Sequence, residues 1–146
     1  MEINMYERAV NYYETDRMGV VHHSNYIRYM EEARIAWMKE IDCAYDWVES
    51  LGIMIPVTSV SFEYKKGLEY GQTLQVEVSV AEYTGVRLKM AYTVRCKETG
   101  ELCGTGTSGH CFVNGDFRPV SAKRACPEVH EKLEHYIKNH IKGEGK

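Results

Sequence analysis

The chain is poor in features that would assign it at sight, and each absence narrows the reading. No run of about 18 apolar residues occurs, so no helical membrane span is expected. The opening MEINMYERAVNYYE lacks a basic start followed by an apolar core, so no secretory signal is read there. The five cysteines, at 43, 96, 103, 111 and 126, are odd in number and include no CxxC pair. That argues against a zinc ribbon or a disulfide framework and favours buried, reduced thiols in a cytoplasmic protein. The formal net charge of −3 gives no support to nucleic-acid binding. There is no Gly-x-Ser-x-Gly elbow, which weighs against a serine hydrolase of the α/β type. The adjacent His22-His23 pair comes without an accompanying acid–histidine ligand set, so neither a metal nor another cofactor is expected. No internal repeat or low-complexity segment interrupts the chain.

What is present is the pattern of one globular domain. The 146 residues, 44% hydrophobic and 27% charged, fit a single domain. A first strand is expected over about Met5–Tyr13, followed by a loop over Glu14–Ser24. From Asn25 to Asp42 the residues Tyr26, Met30, Ala33, Trp37 and Ile41 recur at helical spacing and predict one long amphipathic helix. Arg28, Glu31, Glu32, Arg34, Lys39 and Glu40 fall mostly off that stripe, with Arg28–Glu32 and Glu31–Arg34 placed to pair on a polar face. Residues 43–52 read as an irregular or short helical connection.

After Pro56 the period changes to two. Val60, Phe62 and Tyr64 share one strand face. Leu74, Val76, Val78 and Val80 mark the next strand, and Val86, Leu88, Met90, Tyr92 and Val94 the one after. A last strand runs from Leu102 to about Asn114, and its glycines at 104, 106 and 109 indicate close approach to the backbone. Short turns join these strands, so neighbours must be antiparallel. From Pro127 a second helix is expected, with Val129, Leu133, Tyr136, Ile137, His140 and Ile141 on one side and a fraying Gly143–Lys146 tail. The result is an α+β class in which a sheet of five strands closes on the long helix.

The chemistry concentrates between Tyr13 and Arg34, YETDRMGVVHHSNYIRYMEEAR. Asp16 stands shortly before the helix, Gly19 permits a tight bend, and Ser24 or Asn25 is placed to cap the helix. A carboxylate beside a helix N-terminus has a use: the unpaired backbone N–H groups stabilise a developing oxyanion while the carboxylate acts as base or nucleophile.

The run Asp16-Arg-Met-Gly19-Val20-Val21-His22-His23-Ser24-Asn25-Tyr26 resembles the D-x-x-G-V-V-x-H-x-N-Y signature of hotdog-fold acyl-CoA thioesterases, in the branch of 4-hydroxybenzoyl-CoA thioesterase and the small Tol-Pal-associated thioesterases. The resemblance implies an antiparallel sheet wrapped around a long central helix. It implies that Asp16 attacks the thioester carbonyl or activates water, and that His23 contributes an imidazole or its backbone N–H. Asn25 would hold the loop, and Tyr26 and Met30 would line the acyl pocket. Glu14 occupies a position that is often Asp in the family, and no catalytic role is carried to it.

The substrate implied is an acyl-CoA, or its acyl-carrier-protein counterpart. Its phosphates call for cations. Arg87 and Lys89 form the best strand-borne pair, with Arg17, Lys65, Lys66, Lys123 and Arg124 open as alternatives. The resemblance also implies a homodimer or homotetramer paired through a sheet edge. Two other readings stay open on the residues alone. One is a hotdog enoyl-thioester hydratase or dehydratase, which the order acid-before-histidine disfavours. The other is a non-catalytic module that binds acyl thioesters.

Overall fold

A computed structural model describes residues 5–144, with side chains as far as His140. The elements are β1 (Met5–Ala9), a 3-10 turn (Tyr12–Glu14), α1 (Asn25–Glu40), α2 (Tyr45–Ser50), β2 (Val57–Tyr64), β3 (Thr73–Tyr83), β4 (Arg87–Cys96), β5 (Leu102–Cys111), α3 (Ala122–Ala125) and α4 (Pro127–Glu144). The five strands form one sheet in the order β1-β3-β4-β5-β2, with every pairing antiparallel. This is the hotdog arrangement: a curved sheet with the long helix against one face.

The period-two residues explain that face. Leu74, Val76 and Val78 on β3 and Leu88, Met90, Tyr92 and Val94 on β4 are all buried, and the register pairs Val76 with Val94 and Val78 with Tyr92. Burying each such side chain stabilises the fold by roughly 1.5–3 kcal/mol. From α1 they meet Tyr26, Tyr29, Met30, Ala33, Trp37 and Met38. Helix α4 adds Val129, Leu133 and Tyr136, and the Tyr136 ring stands edge-on to Trp37 at 5.2 Å. All five cysteines are free, four of them buried.

Several expectations shift. β1 ends at Ala9 rather than Tyr13, because Val10 N–H turns to the Gln72 carbonyl and the chain enters the 3-10 turn. α1 stops at Glu40, short of Asp42, whose φ of 63° lies in the left-handed region. β5 stops at Cys111, three residues before Asn114, and Val113 makes only isolated bridges to Met54 and Pro119. β2 was expected to bury one face, but it is an edge strand, and only Phe62 among Val60, Phe62 and Tyr64 packs on the core. Arg34, expected on the polar face beside Glu31, is 6% exposed and bonded to Tyr92. Glu32 pairs with Arg8 of β1 instead of Arg28. Ile141 and the end of the tail fall outside the described side chains.

The glycines of β5 behave as their lack of bulk requires. A Cβ at Gly104 would stand 2.4 Å from the Phe62 ring, and one at Gly106 would stand 2.6 Å from the Met30 sulfur. Phe62 and Met30 therefore lie directly on the β5 backbone.

Candidate active site

The loop between β1 and α1 is a miniature hairpin. Its ladder has the His22 N–H donating to the Glu14 carbonyl at 2.8 Å, a bridge between Thr15 and Val21, and the Asp16 N–H donating to the Val20 carbonyl at 2.9 Å. The tip is Arg17-Met18-Gly19, with Gly19 at a φ of 83°. Asp16 makes that tip possible, since its Oδ1 accepts the Met18 N–H at 2.9 Å, an Asx turn. The hairpin lies against the 67–68 segment: Val21 N–H donates to the Leu68 carbonyl, and Val20 leaves no room for a Cβ at Gly67. Asp16 is part-exposed, and its other carboxylate oxygen has no partner among the described residues.

Glu14 supports this hairpin from below. Its side chain is 4% exposed and takes hydrogen bonds from Arg8, from Asn11 N–H and from the Tyr29 hydroxyl. Burial pushes its pKa up, but the Arg8 guanidinium and the two other donors outweigh that and hold it below the usual carboxylate range. Arg8 also bonds Glu32 at 2.8 Å and lies 4.7 Å over the Tyr29 ring. The Tyr29 hydroxyl is held strongly protonated, first by burial and then by its bond to Glu14.

The turn into α1 carries His22, His23 and Ser24. Neither Ser24 nor Asn25 caps the helix as expected: Ser24 has helical backbone angles and makes no side-chain cap bond. Asn25 uses its amide to donate to the Glu14 carbonyl at 3.0 Å, so it ties the helix to the hairpin. His23 is exposed, stacked on His22 with centroids 4.1 Å apart, and its N–H has no acceptor among the described residues. The peptide that carries this N–H is polarised from behind, because the His22 carbonyl accepts the Asn25 N–H at 3.0 Å. The Tyr64 hydroxyl donates to the His23 carbonyl at 3.2 Å. Asp16 and the His23 amide thus sit on one short loop, at the positive end of a 16-residue helix.

Beside His23 stands an aromatic cluster. Tyr26 lies 4.9 Å from Phe62 and 5.3 Å from Tyr64, centroid to centroid. Tyr26 is buried, and burial pushes its hydroxyl up to about 12. Met30 follows one turn along α1 and closes the cluster against Gly106. In the sequence, Phe62 and Tyr64 are legible only as strand residues. Their alternation on β2 marked a shared face but not what that face would meet.

Arg87 and Lys89 are not at this place. They line a groove of about 440 Å³ with Thr58, Ser59, Glu82 and Gly109, at the Val57 end of β2. His23 meets the other end, at Tyr64. From Ser59 to Tyr64 the strand rises roughly 17 Å. Lys65 and Lys66, next to the cluster, pair with Glu63 and Glu101 across exposed contacts of 3.4 and 3.5 Å. Deeper in the core the hydroxyl of Tyr92 links Arg34 (3.3 Å) to Ser108 (2.6 Å), and Ser108 reaches His110 at 2.7 Å. Burial and then the Arg34 charge push His110 down to about 4, against the opposing pull of the Pro56 and Ile55 backbone. Among the described residues no group of three His, Cys, Asp or Glu side chains is placed to hold a metal.

Residues 10–133 match the family profile described as the thioesterase-like superfamily. A Bacillus subtilis (strain 168) protein, YneP, named as a candidate acyl-CoA thioesterase, is 35% identical over 135 residues, which cover 92% of this chain and 97% of the relative. The crystal structure of a DHNA-CoA thioesterase from Staphylococcus aureus superposes with a TM-score of 0.89 at 32% identity, covering 100% of this chain and 97% of that one. Slr0204, a 1,4-dihydroxy-2-naphthoyl-CoA thioesterase from Synechocystis, superposes with a TM-score of 0.77 over 90% of this chain and 97% of that one. At 20% identity it speaks for the fold alone.

Proposed function

The chain belongs to the thioesterase-like superfamily, and from that premise we propose that it hydrolyses acyl-CoA thioesters with Asp16 as the catalytic carboxylate. The observation that carries this reading is the hairpin register, which holds Asp16 and the His23 N–H on one loop at the start of α1. The thioester carbonyl would lie between them. In one route Asp16 attacks the carbonyl carbon and the thiolate of CoA leaves; water then hydrolyses the mixed anhydride and restores the carboxylate. In the other, Asp16 takes a proton from the attacking water. In both, charge develops on the carbonyl oxygen, and the polarised His23 N–H would receive it. Asn25 and Tyr64 fix the two flanks of that amide. The products are the free acid and CoA thiol.

The acyl group in this reading is aromatic. Tyr26, Phe62 and Tyr64 offer ring faces beside His23, and Met30 packed on Gly106 limits the depth available to a long chain. The Staphylococcus aureus relative, named for a dihydroxynaphthoyl-CoA, supports an aryl class. The resemblance of the Asp16–Tyr26 motif to that of the 4-hydroxybenzoyl-CoA branch supports the same aryl class.

The CoA phosphates would be met by Arg87 and Lys89 of a second copy. β2 is an exposed edge, with Val57 52% and Val60 42% exposed. Antiparallel pairing of two β2 strands across a twofold axis brings the Ser59 end of one against the Tyr64 end of the other. Such pairing would shorten the path between the groove of one chain and the loop of the other.

Thiol release from a panel of aryl-, short- and long-chain acyl-CoAs tests the reading. Wild type should prefer aryl thioesters, and Asp16→Asn should lower kcat by on the order of 10²–10⁴. Equal release by the two proteins would remove Asp16 from the chemistry. No release by either, with binding retained, would make the protein an acyl-thioester binding module. Single-turnover hydrolysis in ¹⁸O-water separates the routes, since only the anhydride route leaves label in the Asp16 carboxylate.

A further inference from the structure

Glu14 is bound at both its ends. Its carboxylate reaches three separate segments: Oε2 accepts from Arg8 Nη2 at 2.5 Å, while Oε1 accepts from Arg8 Nη1 at 3.1 Å, the Asn11 N–H at 2.9 Å and the Tyr29 hydroxyl at 2.9 Å. Its backbone carbonyl accepts the His22 N–H at 2.8 Å and the Asn25 amide at 3.0 Å. One residue therefore joins β1, the 3-10 turn, the returning leg of the hairpin and two turns of α1. Asp16 follows it by two residues, and His23 follows His22 by one. A displacement of the Glu14 backbone relative to His22 would therefore move the Asp16 carboxylate against the His23 N–H.

We propose that Glu14, clamped by Arg8 and Tyr29, is a positioning residue that sets the distance between Asp16 and the His23 amide. The inference rests on the thioesterase reading above for its consequence in catalysis, and on the geometry alone for its consequence in loop order. The buried carboxylate has a built counter-charge: Arg8 is itself oriented by Glu32 at 2.8 Å and by the Tyr29 ring. An ion pair that only stabilised the domain could sit anywhere on the surface of α1. This one sits directly under the hairpin, and the residue that carries its acid also supplies the carbonyl of the hairpin's first rung.

Glu14→Gln keeps the shape but removes the charge, and it turns an N–H donor toward Arg8, Asn11 or Tyr29, all of which donate. The expected result is a fall in kcat of about 10–100-fold with KM changed by less than about threefold, because the reacting groups are misplaced while the binding surfaces remain. Glu14→Asp, which keeps the charge with a shorter reach, should recover part of that loss. Amide hydrogen exchange supplies a readout independent of activity. The His22 N–H, bonded to the Glu14 carbonyl, should exchange at least tenfold faster in Glu14→Gln, while amides of β3, β4 and the centre of α1 keep their wild-type rates. A purely stabilising role would raise exchange uniformly and leave kcat per folded molecule intact, and that pattern would overturn the proposal, as would wild-type exchange at His22. If wild type releases no thiol from any substrate, the thioesterase reading fails, and the exchange rate at His22 still decides whether Glu14 orders the loop.

Discussion

At the scale of single residues, the buried polar and charged residues among those described, Glu14, Arg34, Ser108 and His110, fall into two networks of different character. The Arg8–Glu14 contact is a charge pair with one partner almost dry. Removing the cation alone strands a buried carboxylate, which typically costs 3–5 kcal/mol. Arg8 keeps some solvent contact, so Arg8→Met should lower the unfolding free energy by about 3 kcal/mol, read from urea denaturation. The Arg34–Tyr92–Ser108–His110 chain of hydrogen bonds holds a cation but no carboxylate among the described residues, and its histidine is held neutral. A folded pKa of about 4 lies below the unfolded value of 6.5, so the unfolded chain binds more protons between these limits. Stability from this group is fully present above pH 6.5 and is lost as pH falls toward 4. Thermal midpoints across that window should fall with acid in wild type and fall less steeply in His110→Gln. Arg34→Met removes the second cause of the shift and should narrow the same window from its acid end.

At the scale of elements, the start of α1 is held by a tertiary bond where a local cap was expected. Asn25 reaches back to the Glu14 carbonyl, eleven residues earlier in the chain. Asn25→Ala should therefore cost about 1–2 kcal/mol through the lost bond, with the helix content by circular dichroism unchanged. Asn25→Ser, a good capping residue, should not restore the loss, because its side chain is too short for that carbonyl. Were serine to recover full stability, the tether would be a cap after all. The β5 strand shows the complementary logic: Gly104 and Gly106 give up side chains so that Phe62 and Met30 can lie on the backbone.

At the scale of the whole molecule, the sheet order places β2 at an open edge with apolar residues exposed along it. An unpaired edge of this kind invites a second copy. Sedimentation should give a mass of at least two chains. Val60→Lys on that edge should shift the protein toward monomer and, if the partner's Arg87–Lys89 groove meets the CoA as proposed, lower thioesterase activity by more than about tenfold. A monomeric variant with full activity would show that each chain meets its CoA alone. The same variant should keep its fold, since the core behind β2 draws on α1, β3 and β4.

The long helix and the paired strands are legible in the sequence because their signals are local: a stripe at helical spacing on α1, and alternation through Leu74–Val80 and Leu88–Val94. The sequence also determined the motif around Asp16 and Gly19, where an Asx turn and a left-handed glycine are properties of a few neighbouring residues. It did not disclose that Arg34 is interior, since a helical arginine off the apolar stripe is chemically at home in water until Tyr92, 58 residues along the chain but adjacent in space, offers it a partner. It left Glu14 without a role, because the acid's meaning comes from Arg8 on one side, and from Tyr29 on the other, brought to it by the fold. It placed Arg87 and Lys89 on one strand face without saying which end of the sheet that face would meet. Periodicity records which side of an element is apolar; only tertiary structure decides which polar groups converge, because hydrogen bonds and charge pairs act over a few ångströms between residues that the chain itself keeps far apart.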